Sequence, residues 1–305
     1  MLDTITKMVE QLPEPYTVRA GLGGLAAYPP KTMAIICILL EAERTTYRKM
    51  AAKLIANHEL AKKLNLLNGT PSKNTIWCAG CKIPDSYFKS MHLYMIKDLN
   101  LGSAIAGDAT GFSISEFVRW IDHKLDIVRN SKEWLKLHSI IDVKSRVIIA
   151  YIVTESTITD IKGMYEMLEG LGNLGLDFKG MDFCLDAVYL SRQMCDIVTA
   201  FGMMPFIDVK KNTNNAKGSW PWRYMVDMYL GNRDKFDDHY HQRSIIEAVF
   251  GALKKMYGSS LRCRRRDKQE KELGIKIICY NIEVAARQQV RDGKITRQSL
   301  EAIAA

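Results

Sequence analysis

The chain changes its pattern near Leu101, and an ordered series of strand-like and helix-like segments follows. Three β-rich stretches come first, "SAIAGDATGFSI", "LKLHSIIDV" and "VIIAYIVTE", and only three residues separate the last two, which indicates a hairpin. A helix capped by Thr159 or Asp160, a strand "MDFCLDAVY", a helix near 191–201 and a strand "MPFIDVK" complete the series. The order β-β-β-α-β-α-β predicts an α/β domain with a mixed sheet.

This order of elements resembles the ribonuclease H-like plan, and a helical region precedes it. Apolar residues recur at helical spacing after Thr45 and Thr46, either of which can cap that helix. A short helix, Glu59 to Leu66, ends at "NLLNGTPS", where Ser72 can cap another helix through about Lys82. Short helices joined by such breaks are typical of a helix-turn-helix module, which would offer Lys73 and Asn74 to a DNA groove. A plain helical cap over the next domain is the alternative.

Composition and charge support a division into three domains. The 305 residues are 47% hydrophobic, which suffices for one large core or two modest ones. Of the net charge of +9, the segment 251–300 carries +8, with 13 Lys and Arg against 5 Asp and Glu. Together with the order of elements, this predicts a helix-turn-helix-like domain that can bind DNA over 1–99, a ribonuclease H-like domain over 100–260, whose predicted catalytic role rests on the carboxylates described below, and a basic helical extension over 261–305.

The basic cluster at the start of this extension suits a polyphosphate partner such as double-stranded DNA, because neutralising phosphates releases counterions. A solvated surface or a localisation signal is the alternative. The cluster comprises Arg262, Arg264, Arg265, Arg266 and Lys268.

Cellular location and metal chemistry follow from the N-terminal segment, the apolar runs and the cysteines. The first fifteen residues do not resemble a signal peptide, and the longest apolar run, Met33 to Leu40, is far shorter than the roughly 20 residues that span a bilayer. We therefore expect a soluble, cytoplasmic protein whose seven cysteines are reduced.

A zinc site has to be considered at Cys78, Cys81 and His92. No second pair of ligands follows at the spacing of a zinc finger, which favours buried thiols in a small helix instead.

Three carboxylates occupy positions that this topology brings together. Asp108 lies in the first strand and Asp186 at the end of the fourth, and these strands are neighbours in the predicted sheet. Glu247 lies on a predicted helix that runs from Tyr240 to Lys255. Carboxylates that share a small volume raise one another's pKa unless a cation neutralises them, and Mg²⁺ prefers oxygen ligands. Two metal ions roughly 4 Å apart can activate a hydroxyl and stabilise the leaving oxygen of a phosphodiester displacement.

The predicted helix of Glu247 also carries a stripe of polar side chains. At roughly 100° per residue, Tyr240, Arg243, Glu247 and Lys254 fall within an arc of about 60°, while apolar residues lie opposite. An ordinary amphipathic helix with an Arg243–Glu247 pair would explain the pattern. In a nucleic-acid enzyme, Arg243 and Lys254 would instead hold phosphates on either side of the metal site.

With its spacings of 3, 4 and 7 residues, the stripe resembles the Tyr-x2-Arg-x3-Glu-x6-Lys signature of prokaryotic insertion-sequence DDE transposases. "GDATGFS" around Asp108 and "LDAVYLS" around Asp186 resemble the two preceding motifs of the family. The resemblance implies Asp108, Asp186 and Glu247 as ligands of two Mg²⁺ or Mn²⁺ ions, with Tyr240, Arg243 and Lys254 contacting the transposon end. It also implies a helical domain that binds terminal inverted repeats, a homodimer in the synaptic complex and a place at the prokaryotic nucleoid.

The chain departs from this family in two places. Many relatives carry a long β-rich insertion before the glutamate, whereas the 61 residues from Asp186 to Glu247 leave room only for a loop and a helix. The glycine that often precedes the tyrosine of the second motif is Val188 here.

Other residues compete for these roles. Asp142, Asp122, Asp126 and Asp160 are rival carboxylates, although their positions suit a turn, a helix or a cap better. Trp220 and Trp222 are candidates for stacking on an unpaired base, with packing as the alternative.

The predicted function is metal-dependent strand cleavage at terminal inverted repeats followed by transfer of the 3′-hydroxyl into target DNA. A ribonuclease H-like nuclease that does not join strands, and a domesticated DNA-binding protein without catalysis, remain the alternatives.

Overall fold

The computed structural model describes residues 1–18, 28–66, 69–114, 134–215 and 217–293. The chain forms two compact units, one from residues 1–95 together with the segment from 263 onward, and the other from residues 96–262. The first unit is therefore discontinuous in sequence.

Helices make up the described part of the first unit. They are α1 (Leu2–Glu10), α2 (Pro30–Ala42), α3 (Tyr47–Ala56), α4 (His58–Lys63), α5 (Lys73–Lys82), α6 (Asp85–Ile96) and, at the other end of the chain, α12 (Arg266–Arg291). The apolar run of α2 is buried almost throughout, and α12 packs against it. Among the described residues, no helix is both long and apolar enough to cross a membrane.

Side-chain caps fix the starts of the short helices. Thr46 accepts a hydrogen bond from the Lys49 amide (3.3 Å), and Ser72 accepts one from the Thr75 amide (3.2 Å), which satisfies donors that the helix itself leaves open. Both predicted caps are confirmed, and so is the end of α5 at Lys82. The α4 helix begins one residue before the predicted start and ends three residues before the predicted end.

The second unit contains one five-stranded sheet. Its strands are β1 (Ala104–Ser113), β2 (Trp134–Asp142), β3 (Ile148–Glu155), β4 (Asp182–Leu185) and β5 (Met204–Ile207). They lie in the order β3-β2-β1-β4-β5, with β2 antiparallel to its neighbours and β4 and β5 parallel to β1. The predicted mixed sheet, its hairpin and the β1–β4 pairing are confirmed.

Helices cover both faces of this sheet. They are α7 (Asp160–Glu169), α8 (Arg192–Ala200), α9 (Trp220–Gly231), α10 (Arg233–Tyr240) and α11 (Ser244–Tyr257). Gly107 faces α7 closely, since a Cβ there would lie 2.8 Å from Met164. Side chains alternate along a strand, so Asp108 and Thr110 point to the opposite face, where α11 packs on β1.

The predicted continuous helix from Tyr240 to Lys255 is wrong in one respect. The α10 helix ends at Tyr240, a 3₁₀ turn covers His241–Arg243, and α11 begins at Ser244. The backbone stays right-handed throughout the junction, but two side chains bond to its carbonyls: Ser244 Oγ donates to His241 (2.9 Å) and Gln242 Nε2 to His239 (3.4 Å). Side chains that bond to nearby backbone compete with the regular helical pattern.

Candidate active site

The two aspartates lie side by side where β1 and β4 run parallel. Gly107 is the register partner of Leu185, so the next residues, Asp108 and Asp186, are adjacent. Each carboxylate accepts a hydrogen bond from the following backbone amide, at 2.8 Å for Asp108 Oδ1 and 2.7 Å for Asp186 Oδ1. These bonds orient the carboxylates and leave the second oxygen of each directed at the same space.

Arg243 occupies that space and joins all three predicted carboxylates. Its Nη2 lies 3.2 Å from Asp108 Oδ2 and 3.6 Å from Asp186 Oδ2, and its Nη1 lies 2.7 Å from Glu247 Oε1. The Arg243 side chain is 18% exposed, whereas that of Glu247 is 59% exposed. The structure thus brings the three carboxylates together around a guanidinium that projects from the 3₁₀ turn.

The pKa values report a crowded acidic site. Burial raises the pKa of Asp108, and the carboxylates of Asp186 and Glu247 raise it further, although the Ala109 amide and Arg243 act against the shift. Burial alone would lower the pKa of Arg243, but the surrounding carboxylates raise it above its ordinary value. The guanidinium is therefore fully charged, and it compensates the carboxylates only in part.

Lys254 and Tyr240 flank the carboxylates. Lys254 Nζ donates to Thr110 Oγ1 at 2.6 Å and lies 5.3 Å from the centre of the Phe112 ring, and burial lowers its pKa. The ring of Tyr240 stacks on Phe236 at 5.6 Å, and burial raises its pKa to about 12. Lys254 therefore bonds to β1, and Tyr240 stays protonated at neutral pH.

The side chains of this site determine whether it could bind a metal ion. Within the described ranges, no three His, Cys, Asp or Glu side chains are arranged as a ready metal site. The three carboxylates nevertheless offer only oxygen ligands directed at one positive charge, which suits Mg²⁺ or Mn²⁺. The donor set fits a hard divalent cation, provided that Arg243 moves.

The two cysteines of α5 differ from the expectation of buried thiols. Cys78 is exposed, and Cys81 is half-buried.

The rival carboxylates have structural partners. Asp142 accepts hydrogen bonds from the Gly102 and Ser145 amides, both at 2.7 Å, and so stabilises the β2–β3 turn. Asp160 pairs with Lys136 at 2.9 Å in the first turn of α7. Asp122 and Asp126 lie outside the described residues.

The two tryptophan candidates differ in exposure. Trp220 is 60% exposed and stacks on Tyr224 with ring centres 5.3 Å apart. Trp222 is 6% exposed, and its Nε1 donates to the Asn214 carbonyl at 3.1 Å. Trp222 packs in the core of its unit and cannot receive a base without moving, so Trp220 is the available ring.

The predicted DNA contacts outside the carboxylate site fall into two groups. Lys73 and Asn74 are exposed on α5, and Arg262 and Arg264 are exposed near the start of α12. Within the basic cluster, Arg265 pairs with Asp267 (3.0 Å), Arg266 pairs with Glu270 (2.8 Å), and Lys268 donates to the Gly80 carbonyl (3.2 Å). Part of the predicted positive surface is thus compensated locally.

One further pair, His239 and Asp182, was not predicted from the sequence. His239 Nδ1 lies 2.6 Å from Asp182 Oδ2 at the start of β4, and its ring stacks on Phe206 of β5 at 4.5 Å. Together these contacts attach the end of α10 to the sheet, directly before Tyr240 and the turn that carries Arg243. The partners are 57 residues apart, so no local spacing could reveal them.

Two proteins named as transposases are similar to this chain, one in sequence and one in fold. A probable transposase for insertion sequence element ISA1214 from Archaeoglobus fulgidus is 22% identical over 197 residues, which cover 63% of this chain and 57% of that relative. A cryo-EM structure of the piggyBac transposase synaptic complex with hairpin DNA superposes with a TM-score of 0.55 at 8% identity, covering 100% of this chain and 75% of that one. This likeness concerns the fold alone, and it confirms the ribonuclease H-like class.

The chain also matches a protein family over a long stretch of its sequence. The family described as "Transposase DDE domain" matches residues 100–282, a range that includes Asp108, Asp186 and Glu247. Because the match spans more than half of the 305 residues, the chain belongs to the Transposase DDE domain family.

Proposed function

We propose that this protein is an insertion-sequence transposase that cuts DNA at terminal inverted repeats and joins the resulting 3′-hydroxyl to target DNA. The observation that carries the proposal is the convergence of Asp108, Asp186 and Glu247 on one cation, Arg243, in a chain of the Transposase DDE domain family. The same proposal places the protein in the cytoplasm of a prokaryote, at its nucleoid.

Asp108, Asp186 and Glu247 would hold the divalent cations. When bound, such cations supply Lewis-acid stabilisation and lower the pKa of a coordinated water or hydroxyl. Asp108 and Asp186 are held by backbone amides, which fixes their free oxygens towards the site. Glu247 stands on α11 with a largely exposed side chain, so it can turn towards a ligand without disturbing the sheet.

Positive side chains near the carboxylates would bind the DNA backbone. Arg243 offers a planar guanidinium that can bind a phosphate through two hydrogen bonds. Lys254 is half-buried beside Thr110 and offers a point charge at the same face of β1. Trp220, exposed near the start of α9, would stack on an unpaired base near the cut.

The exposed face of α5 and the arginines before α12 would bind the inverted repeats. Lys73 and Asn74 are exposed next to Trp77, which is 54% exposed, so α5 offers charge, an amide and an aromatic ring to a groove. Arg264 offers a charge to phosphates.

The proposed function also implies an oligomer. Bringing the two ends of an insertion sequence together requires at least two copies of the chain, so we propose a homodimer in the active complex.

A cleavage and joining assay tests the proposal. The purified protein is incubated with Mg²⁺ and duplexes that carry the inverted repeats flanking its gene, and nicks and joined strands are scored separately. Wild type should give both products, Asp108→Asn neither, and Asp98→Asn, which changes an aspartate whose side chain is 87% exposed, both. Cleavage without joining would favour the nuclease, and binding without either product would favour a non-catalytic DNA-binding protein.

A further inference from the structure

Arg243 acts as a shared counter-ion rather than as half of a simple pair. Both terminal nitrogens of its guanidinium bond to carboxylates that come from β1, the end of β4 and α11. Its Nε is buried and has no hydrogen-bond partner among the described residues. The carboxylates therefore hold the guanidinium by charge, but this position leaves one buried donor unsatisfied, which costs free energy.

The guanidinium and a divalent cation would compete for the same oxygens. Arg243 lies 2.7 to 3.6 Å from one oxygen of each carboxylate, whereas Mg²⁺ needs its ligands at about 2.0–2.1 Å in a nearly octahedral arrangement. Both cations would have to occupy the same volume, and at such short separations their repulsion is large in a partly buried site. Metal ligation therefore requires Arg243 to leave the carboxylates.

A DNA phosphate is the natural destination for this side chain. A phosphate offers two oxygens in the geometry that a guanidinium binds best, so it can replace the carboxylates as the partner of Arg243. Lys254 is less suited to this exchange, because its ammonium is a point charge that lacks the planar fork of a guanidinium, and one of its donors is bonded to Thr110. Arg243 would then couple the binding of metal to the binding of DNA.

We propose that Arg243 is a resident cation that makes tight metal binding conditional on bound DNA. The inference rests on the proposed function, because it takes Asp108, Asp186 and Glu247 as the metal ligands. Without DNA, the guanidinium neutralises the carboxylates and keeps metal affinity low. With a phosphate in place, Arg243 turns outward and the carboxylates become free to bind metal, so binding of each ligand strengthens binding of the other.

Metal binding, measured without any catalytic step, tests this proposal. Mn²⁺ affinity is determined by electron paramagnetic resonance of the free ion for wild type, Arg243→Gln and Arg233→Gln, with and without a pre-cut duplex of the terminal inverted repeat. Arg233 is the matched control, since it lies in the same unit and pairs with Asp237 at 2.9 Å. Asp186→Asn with the same duplex measures the Mn²⁺ that binds to DNA itself.

Without DNA, Arg243→Gln should bind Mn²⁺ at least tenfold more tightly than wild type, and Arg233→Gln should match wild type. The duplex should raise the affinity of wild type by a similar factor and that of Arg243→Gln much less. Equal or weaker Mn²⁺ binding by a folded Arg243→Gln overturns the proposal, as does a wild-type affinity that the duplex leaves unchanged. The second criterion decides alone if Arg243→Gln does not fold.

The outcomes also separate this proposal from the proposed function. If Mn²⁺ binds wild type and Asp186→Asn weakens it, but Arg243 and DNA have no effect, the transposase assignment stands and the exchange of cations fails. If Asp186→Asn with the duplex binds Mn²⁺ as tightly as wild type with the duplex, the metal site itself fails, and the proposed function fails with it.

Discussion

Replacing Glu247 by Gln separates the chemistry of the site from the stability of the fold. The Glu247–Arg243 pair spans one helical turn at 2.7 Å, but the Glu247 side chain is 59% exposed. Exposed pairs of this kind contribute about 0.3–0.5 kcal/mol, so the midpoint of thermal unfolding should fall by no more than about 2 °C. Loss of a metal ligand removes several kcal/mol of transition-state stabilisation, and cleavage should therefore fall by roughly 10³-fold or more.

The assay compares three quantities for wild type and variant: cleavage of the inverted-repeat duplex in Mg²⁺, its dissociation constant, and the thermal midpoint. DNA affinity should be unchanged or slightly higher, because the substitution removes a negative charge near the phosphates. Glu270→Gln is the control, since Glu270 also follows its arginine by four residues and pairs with it at 2.8 Å. Mg²⁺-dependent cleavage by Glu247→Gln within tenfold of wild type would refute the assignment of the three carboxylates.

Three further predictions concern stability and DNA binding. The pKa of Asp108 is raised in the folded state, so ionisation of this carboxyl destabilises the fold at neutral pH. Metal-free Asp108→Asn should therefore unfold at a higher temperature than wild type at pH 7. This difference in unfolding temperature should vanish as the pH falls below the pKa of an unfolded aspartate. Arg264→Ala combined with Arg265→Ala should weaken duplex binding and reduce the slope of log K against log salt by up to about 2, measured by titration at several salt concentrations. His239→Ala should lower the free energy of unfolding by roughly 1–2 kcal/mol in urea titrations, because it removes the bond to Asp182; an unchanged midpoint would contradict this role.

The elements that the sequence predicts well are those with a local physical cause. The three β-rich stretches and the hairpin between β2 and β3 follow from side-chain alternation and a short turn. Thr46 and Ser72 are recognisable as caps because their hydroxyls can reach amides only three residues away. Predicting that Asp108 and Asp186 are adjacent required only the order of strands that this topology prescribes.

Contacts between distant residues were not predictable in the same way. Arg243 and Asp108 are 135 residues apart, and the signature spacing places Arg243 beside Glu247 without indicating that it also neutralises the aspartates. The 3₁₀ turn at His241–Arg243 was missed because it depends on side chains that bond to nearby carbonyls and on the attachment of His239 to the sheet. A helical period predicts that α12 is amphipathic or buried, but it does not identify the helix against which α12 packs.

The discontinuity of the first unit has a consequence for synthesis of the protein on the ribosome. Translation proceeds at about 5–20 residues per second, so roughly 10 to 40 s separate the emergence of the first 95 residues from that of α12. During this interval the nascent α2 can pack on α1 and α5, but it lacks α12, which later covers part of its apolar surface. A fragment that ends at residue 95 remains permanently in this incomplete state, so biochemical work on the N-terminal helices needs the segment from 263 onward as well.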